Sequence, residues 1–129
     1  MNPQDLNLTL RKAVQTTQIG YFQVEEMRQG LGWEQYDYPV PLETLLAGSS
    51  AKMALQPQPV TSISKPITVP QQIFLNKTGA TNGFSAYVVV IPSKKIGLVM
   101  LANRNFPNDA RVKAAYATLQ QILDADIQK

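Results

Sequence analysis

The 129-residue chain contains no cysteine and no histidine. The first absence excludes a disulfide frame, a zinc–thiolate site and a thiol nucleophile. The second excludes a Ser–His or Cys–His catalytic pair. Any acid–base chemistry therefore falls to lysine, tyrosine or a carboxylate. Long hydrophobic runs are missing too: AYVVVIP and IGLVMLA are each interrupted within about ten residues, half of what a membrane-spanning helix needs. They read as strands. The first ten residues, MNPQDLNLTL, show no basic segment leading into an apolar one, which is not the pattern of a secretory leader. Charge of one sign is scarce as well. Twelve Lys and Arg against nine Asp and Glu leave +3, and the basic residues are scattered, Arg11, Lys12, Lys52, Lys77, Lys94, Lys95, Arg104, Arg111 and Lys113 among them. No basic stripe with interleaved aromatics marks a nucleic-acid binder.

What is present suits one globular segment, 1–129, since 44% hydrophobic and 16% charged residues can bury a core. Asn2 and Pro3 open a helical pattern with apolar Leu6, Leu10, Ala13 and Val14, ended by Gly20. Leu31, Trp33 and Gln35 alternate as a short strand between Gly30 and Pro39, with Trp33 and Tyr36 read as packing residues. PLETLLAG reads as two helical turns from Pro41 to Gly48, which closes a first part, 1–48. From 49 to 72 Pro57, Pro59, Pro66 and Pro70 sit among Ser, Thr and Gln. That stretch reads as a long, mostly irregular connection bordering a cleft. The last part, 73–129, holds strands at Ile73–Thr78, Phe84–Ile91 and Ile96–Ala102, a PSKK turn, and a helix from Pro107. That helix carries Val112, Ala115, Tyr116, Leu119, Ile122 and Leu123 at three- and four-residue spacing. Strands this continuously apolar imply a sheet covered on both faces. The fold class is α+β, an α/β sandwich in which an antiparallel meander is packed by N- and C-terminal helices.

The chemistry concentrates in LNKTGATNGF. Lys77 and Thr78 stand at a strand end, where an ammonium and a hydroxyl can hold an anion while an adjacent main-chain N–H meets a developing oxyanion. Taken alone a KTG tripeptide is weak. GLGWE, the proline-rich stretch and LNKTGATNGFSAYVVVIPSKKIGLVMLANRNFPNDARVKAAY, in that order, resemble the C-terminal portion of class C serine β-lactamases, the cephalosporinases.

That resemblance implies the C-terminal part of a serine β-lactamase/DD-peptidase-like fold and a periplasmic hydrolase linked to antibiotic resistance. It implies a β-lactam small molecule as partner, no cofactor or metal, and neither nucleic acid nor membrane. Lys77 is implied to lie beside the nucleophile and its tyrosine partner, Ala80 to give an oxyanion-hole N–H, and Thr78 to bond the substrate carboxylate with Gly79 completing the wall. Asn108 and Arg111 are implied to recognise that carboxylate, with Asn105 close by. Enzymes of this family acylate a serine in S-x-x-K and use a tyrosine in Y-x-N. Here SSAK, Ser49 to Lys52, matches the spacing within the loop rather than at the opening of a buried helix. None of Tyr21, Tyr36, Tyr38, Tyr87 or Tyr116 begins a Y-x-N. The expectation is one wall of a site whose nucleophile belongs to further polypeptide. The parent is expected to be monomeric, whereas the fragment, with an open sheet edge and bare apolar faces, is inactive alone and prone to self-associate. A penicillin-binding carboxypeptidase or esterase relative, and a non-catalytic binding module reusing half the fold, are the alternatives. Lys94 and Lys95 read as turn residues, and Glu25–Glu26 are spaced wrongly for a glycosidase pair.

Overall fold

The computed structural model describes residues 7–67 and 72–127. The expected helix start at Asn2, Pro3 and Leu6, and Pro70, lie outside the described residues. Helix α1 spans Leu8–Thr17, and Asn7 is its cap, accepting from the Leu10 N–H at 2.8 Å. Such a side-chain oxygen satisfies one of the donors that a helix N-terminus leaves free. None of its residues is buried, and Leu8, Leu10 and Val14 remain exposed.

Among the described residues seven antiparallel strands follow: β1 (Gly20–Val24), β2 (Met27–Gln29), β3 (Glu34–Asp37), β4 (Thr61–Ile67), β5 (Ile73–Ala80), β6 (Ser85–Ile91) and β7 (Ile96–Ala102). Their order across the sheet is β4-β1-β2-β3-β5-β6-β7. Helices α2 (Leu42–Gly48) and α3 (Ala51–Leu55) lie between β3 and β4, and α4 (Asn108–Ile127) closes the described chain. The antiparallel sheet with helices is the expected architecture, and β7 has the expected bounds. The stretch 49–72 differs from expectation. It holds α3, capped by Ser50 accepting from Met53 N–H at 3.2 Å, and β4, which pairs with β1. Its prolines permit this because Pro66 sits in an edge strand, where a missing N–H costs no ladder bond if it faces outward.

Strand alternation separates two faces. Registers Tyr36↔Phe74, Thr78↔Tyr87 and Tyr87↔Met100 put Tyr36, Phe74, Tyr87, Val89 and Ile91 on one face. There they form the core with Leu45 of α2 and Val112, Ala115 and Leu119 of α4. Positions 112, 115 and 119 make a stripe on one side of α4, as helical periodicity requires. The second face is not fully covered, contrary to the expectation from the apolar runs. Ile73 and Leu75 are buried there, but Val99 and Leu101 are 65% and 76% exposed. Continuous apolar strands report a need for two covers, and the described residues supply one over β6 and β7.

Gly48 fixes how α2 sits on the sheet. A Cβ at this position would lie 1.8 Å from Tyr36 Oη, and Tyr36 is buried. Gly48→Ala is therefore expected to displace the tyrosine and cost about 1–3 kcal/mol, read as a lower thermal midpoint with an unchanged far-ultraviolet spectrum.

Candidate functional site

The site forms where β3 ends. Glu34 pairs with Asn76, and from Lys77 to Ala80 the only strand neighbour of β5 among the described residues is β6. The other edge of β5 opens on α3 and on the segment entering α4. Thr78, Gly79, Ala80, Asn105, Asn108 and Arg111 all line one cavity of about 920 Å³ there. Lys77 lines an adjoining cavity of about 420 Å³ with Thr78, Asn108 and Glu34. The sequence-derived residues thus gather in one place, Thr78 and Asn108 bordering both spaces. A side chain at Gly79 would meet nothing within 4 Å, so packing in this chain does not demand a glycine at the cleft wall.

Helix α4 is locked to the end of β5 by its first turn. The Arg111 guanidinium, 1% exposed, donates through Nη1 to Gly79 O at 2.8 Å and to Ala86 O, and through Nη2 to Asn108 Oδ1. Burial holds its pKa below the ordinary arginine value. Asn108 Nδ2 donates to Ser49 O at 3.2 Å, which ties α4 to the end of α2. Ser85 Oγ donates to Arg104 O at 3.0 Å and accepts from Phe106 N–H at 3.3 Å, fixing the loop that carries the exposed Asn105. Asn108 borders the cavity with both ends of its amide held by protein, and Arg111 spends its Nη donors on protein oxygens while its Nε has no partner among the described residues.

Lys77 has a partner that the sequence reading assigned no role. Its Nζ lies 2.5 Å from Glu34 Oε1, with the lysine side chain 47% exposed and the glutamate side chain 11%. Asn76 Nδ2 donates to Glu34 O at 3.2 Å and holds β3 beside the KTG segment. Glu34 closes the GLGWE segment, and a carboxylate about to enter a buried strand was the available signal. Gly32, at φ +89°, makes the turn before it in a conformation that suits glycine.

Neither serine–lysine spacing forms a reactive pair. Ser49 is buried at the end of α2, and its Oγ donates to Leu45 O at 2.8 Å. A second spacing, Ser62 to Lys65 in SISK, escapes the sequence reading and lies on β4 with both residues exposed. Residues three apart on a strand point to opposite faces, so the two side chains cannot meet.

An antiparallel sheet with helices on one face is the fold shared with solved serine β-lactamases and D-alanine carboxypeptidases. Residues 4–122 match the beta-lactamase family model, and the chain belongs to that family. A beta-lactamase of Pseudomonas fluorescens is 47% identical over 92% of this chain and 33% of its own length. The solved D-alanine carboxypeptidase of Burkholderia cenocepacia is 46% identical, with TM-score 0.88 over 91% of this chain and 34% of its own. A class C beta-lactamase solved in complex with cefoxitin is 43% identical, with TM-score 0.85 over 93% and 34%. The chain thus spans about a third of the length of the relatives it matches, and the class C resemblance read from the residues is borne out.

Proposed function

We propose that this chain is one wall of a class C β-lactamase site that opens β-lactams, cephalosporins foremost, through an acyl-enzyme. The observation that carries the reading is the convergence of Thr78, Ala80, Asn105 and Asn108 on one cavity at the unpaired edge of β5, with Lys77 beside it. In the reaction a serine hydroxyl on further polypeptide attacks the lactam carbonyl carbon, giving its proton to a base as the C–N bond breaks. Water then attacks the ester, releases the opened acid and returns the serine. The Lys77 ammonium stabilises the deprotonated base, and the Ala80 N–H receives the oxyanion. Thr78 Oγ1 and the Asn108 amide hold the substrate carboxylate. Arg111 acts through Gly79 and Asn108 as a positioning residue. No step requires a metal or cofactor. The setting is the periplasm, where such an enzyme confers antibiotic resistance.

A second reading is a peptidase acting on D-alanine termini, favoured by the similarity to the Burkholderia carboxypeptidase. A chimera carrying residues 1–129 in place of the matching segment of the Pseudomonas relative separates the two. The isolated chain is expected to leave a chromogenic cephalosporin intact. The chimera is expected to hydrolyse it, and Lys77→Ala to lower kcat about 10²–10³-fold, the loss expected when an electrostatic stabiliser is removed. A folded chimera active only on D-alanine peptides would select the second reading. One inert toward both would defeat the proposal.

A further inference from the structure

Asn82 and Gly83 form the tip of the loop between β5 and β6. The Thr81 N–H donates to Phe84 O at 2.9 Å and closes the loop, while Thr81 Oγ1 accepts from the Gly83 N–H at 3.3 Å and the Phe84 N–H at 3.2 Å. None of these bonds engages the amide of Asn82, an exposed residue. Of the asparagines in the sequence, only Asn82 precedes a glycine.

The turn itself does not require that glycine. Its φ lies outside the left-handed region that favours glycine, and a Cβ built there would meet nothing within 4 Å. What the absent Cβ leaves open is the approach of the Gly83 nitrogen to the Asn82 side-chain carbonyl. The bond that holds this N–H, at 3.3 Å to an oxygen shared with Phe84, is longer than the usual N–H···O range. Asn82 also lines the cavity of about 920 Å³ onto which Thr78, Ala80 and Asn108 converge. The charged residues of that lining are Arg111 and Asp109, one of each sign. A carboxylate at position 82 tips the balance to negative.

We propose that Asn82–Gly83 is a site of spontaneous deamidation, which converts a neutral rim of this cavity into an anionic one. The Gly83 nitrogen gives its proton to hydroxide or a buffer base and attacks Asn82 Cγ. A nitrogen–carbon bond forms, the bond from Cγ to Nδ2 breaks, and Nδ2 leaves as ammonia, taking up the proton that the base removed. Water then opens the cyclic imide. Attack at Cγ gives an aspartyl residue and attack at the main-chain carbonyl an isoaspartyl linkage. The net change is amide and water to acid and ammonia, with no redox step. Every reacting protein atom belongs to residues 82 and 83, so the chemistry draws on no group elsewhere in the molecule. Its consequence for substrate rests on the β-lactam reading: a carboxylate on the rim repels the carboxylate assigned to Thr78 and Asn108, and the site loses affinity as the protein ages.

The 129-residue chain tests the site when it is held in mildly alkaline buffer and then cut by trypsin after Lys77 and Lys94. The peptide 78–94 holds no side-chain amide except that of Asn82, so an amide-to-acid mass change within it identifies the residue. It is expected to convert ahead of every other asparagine-containing peptide and to accept methyl groups from an isoaspartyl methyltransferase. Gly83→Ala is expected to keep its amide, because a methyl group hinders the attack while the open space around it preserves the fold. Earlier conversion at another asparagine, or equal conversion in Gly83→Ala, would overturn the proposal. In the chimera, Asn82→Asp is expected to raise the KM of an anionic cephalosporin about 2–5-fold, the effect of an exposed charge pair, with kcat unchanged. Added salt should shrink the difference. An unchanged KM would overturn the role of the rim. A chimera inert with either residue at position 82 would instead defeat the β-lactam reading, while the peptide measurement, which needs no substrate, still decides the site.

Discussion

Arg111→Ala is expected to lower the unfolding free energy by about 3–5 kcal/mol. One guanidinium serves three oxygens, Gly79 O, Ala86 O and Asn108 Oδ1, from a position that is 1% exposed. Truncation strands at least two main-chain carbonyls beside a void, and an orphaned buried polar group costs about 1–3 kcal/mol. Arg111→Lys is expected to recover only part of the loss, because a single ammonium cannot reproduce the planar fork that spans two strands and a helix. Urea denaturation measures both. Amide resonances of Gly79 and Ala80 supply an independent reading, and they should move in both variants because the KTG edge loses its tether. A loss below ~1 kcal/mol for the alanine variant would place Arg111 among ordinary surface substitutions and contradict the bridging geometry.

The same residue shows how far the sequence could be read. Spacing puts Asn108 and Arg111 on one helical face, and it was the resemblance to class C enzymes that implied their place beside the KTG strand. Which oxygens the guanidinium would choose was invisible, since that depends on β5 and β6 being neighbours in register. Strand β7 was legible as a short apolar run between turn residues, and the core stripe of α4 because its hydrophobic periodicity specifies it. The β1–β2 hairpin was not. Its turn is Glu25–Glu26, with Glu25 at φ +50°, where Gly, Asn or Asp is the usual signal. Strand β4 was hidden among Ser, Thr and Pro, because an exposed edge strand needs no apolar alternation. Glu34 was quoted within a motif yet given no role, and only the convergence of β3 with β5 reveals its lysine.

Alkaline pH is expected to dismantle the core through two tyrosines. Burial, then the Glu34, Glu26 and Glu25 carboxylates, push the Tyr36 hydroxyl well above its usual 10.0. Burial, then Tyr36 and Glu34, do the same to Tyr87. In the unfolded chain both hydroxyls release protons near pH 10, while in the folded chain both hold them to higher pH. Between those limits the unfolded state binds fewer protons, so stability falls as pH rises; below pH 10 the contribution is complete and flat. Each group contributes a slope of about 1.4 kcal/mol per pH unit, and the pair about 2.7. Accumulated above pH 10, that loss is a large fraction of the stability of a small domain. Tyr87→Phe isolates the effect. Tyr87 Oη is buried with no hydrogen-bond partner among the described residues, so its removal should cost little at pH 7 yet halve the alkaline slope. Urea midpoints from pH 8 to 12 for both proteins give the comparison. Lysine deprotonation common to the folded and unfolded states cancels from it, and parallel curves would show that the Tyr87 hydroxyl ionises in the folded chain as freely as in the unfolded one.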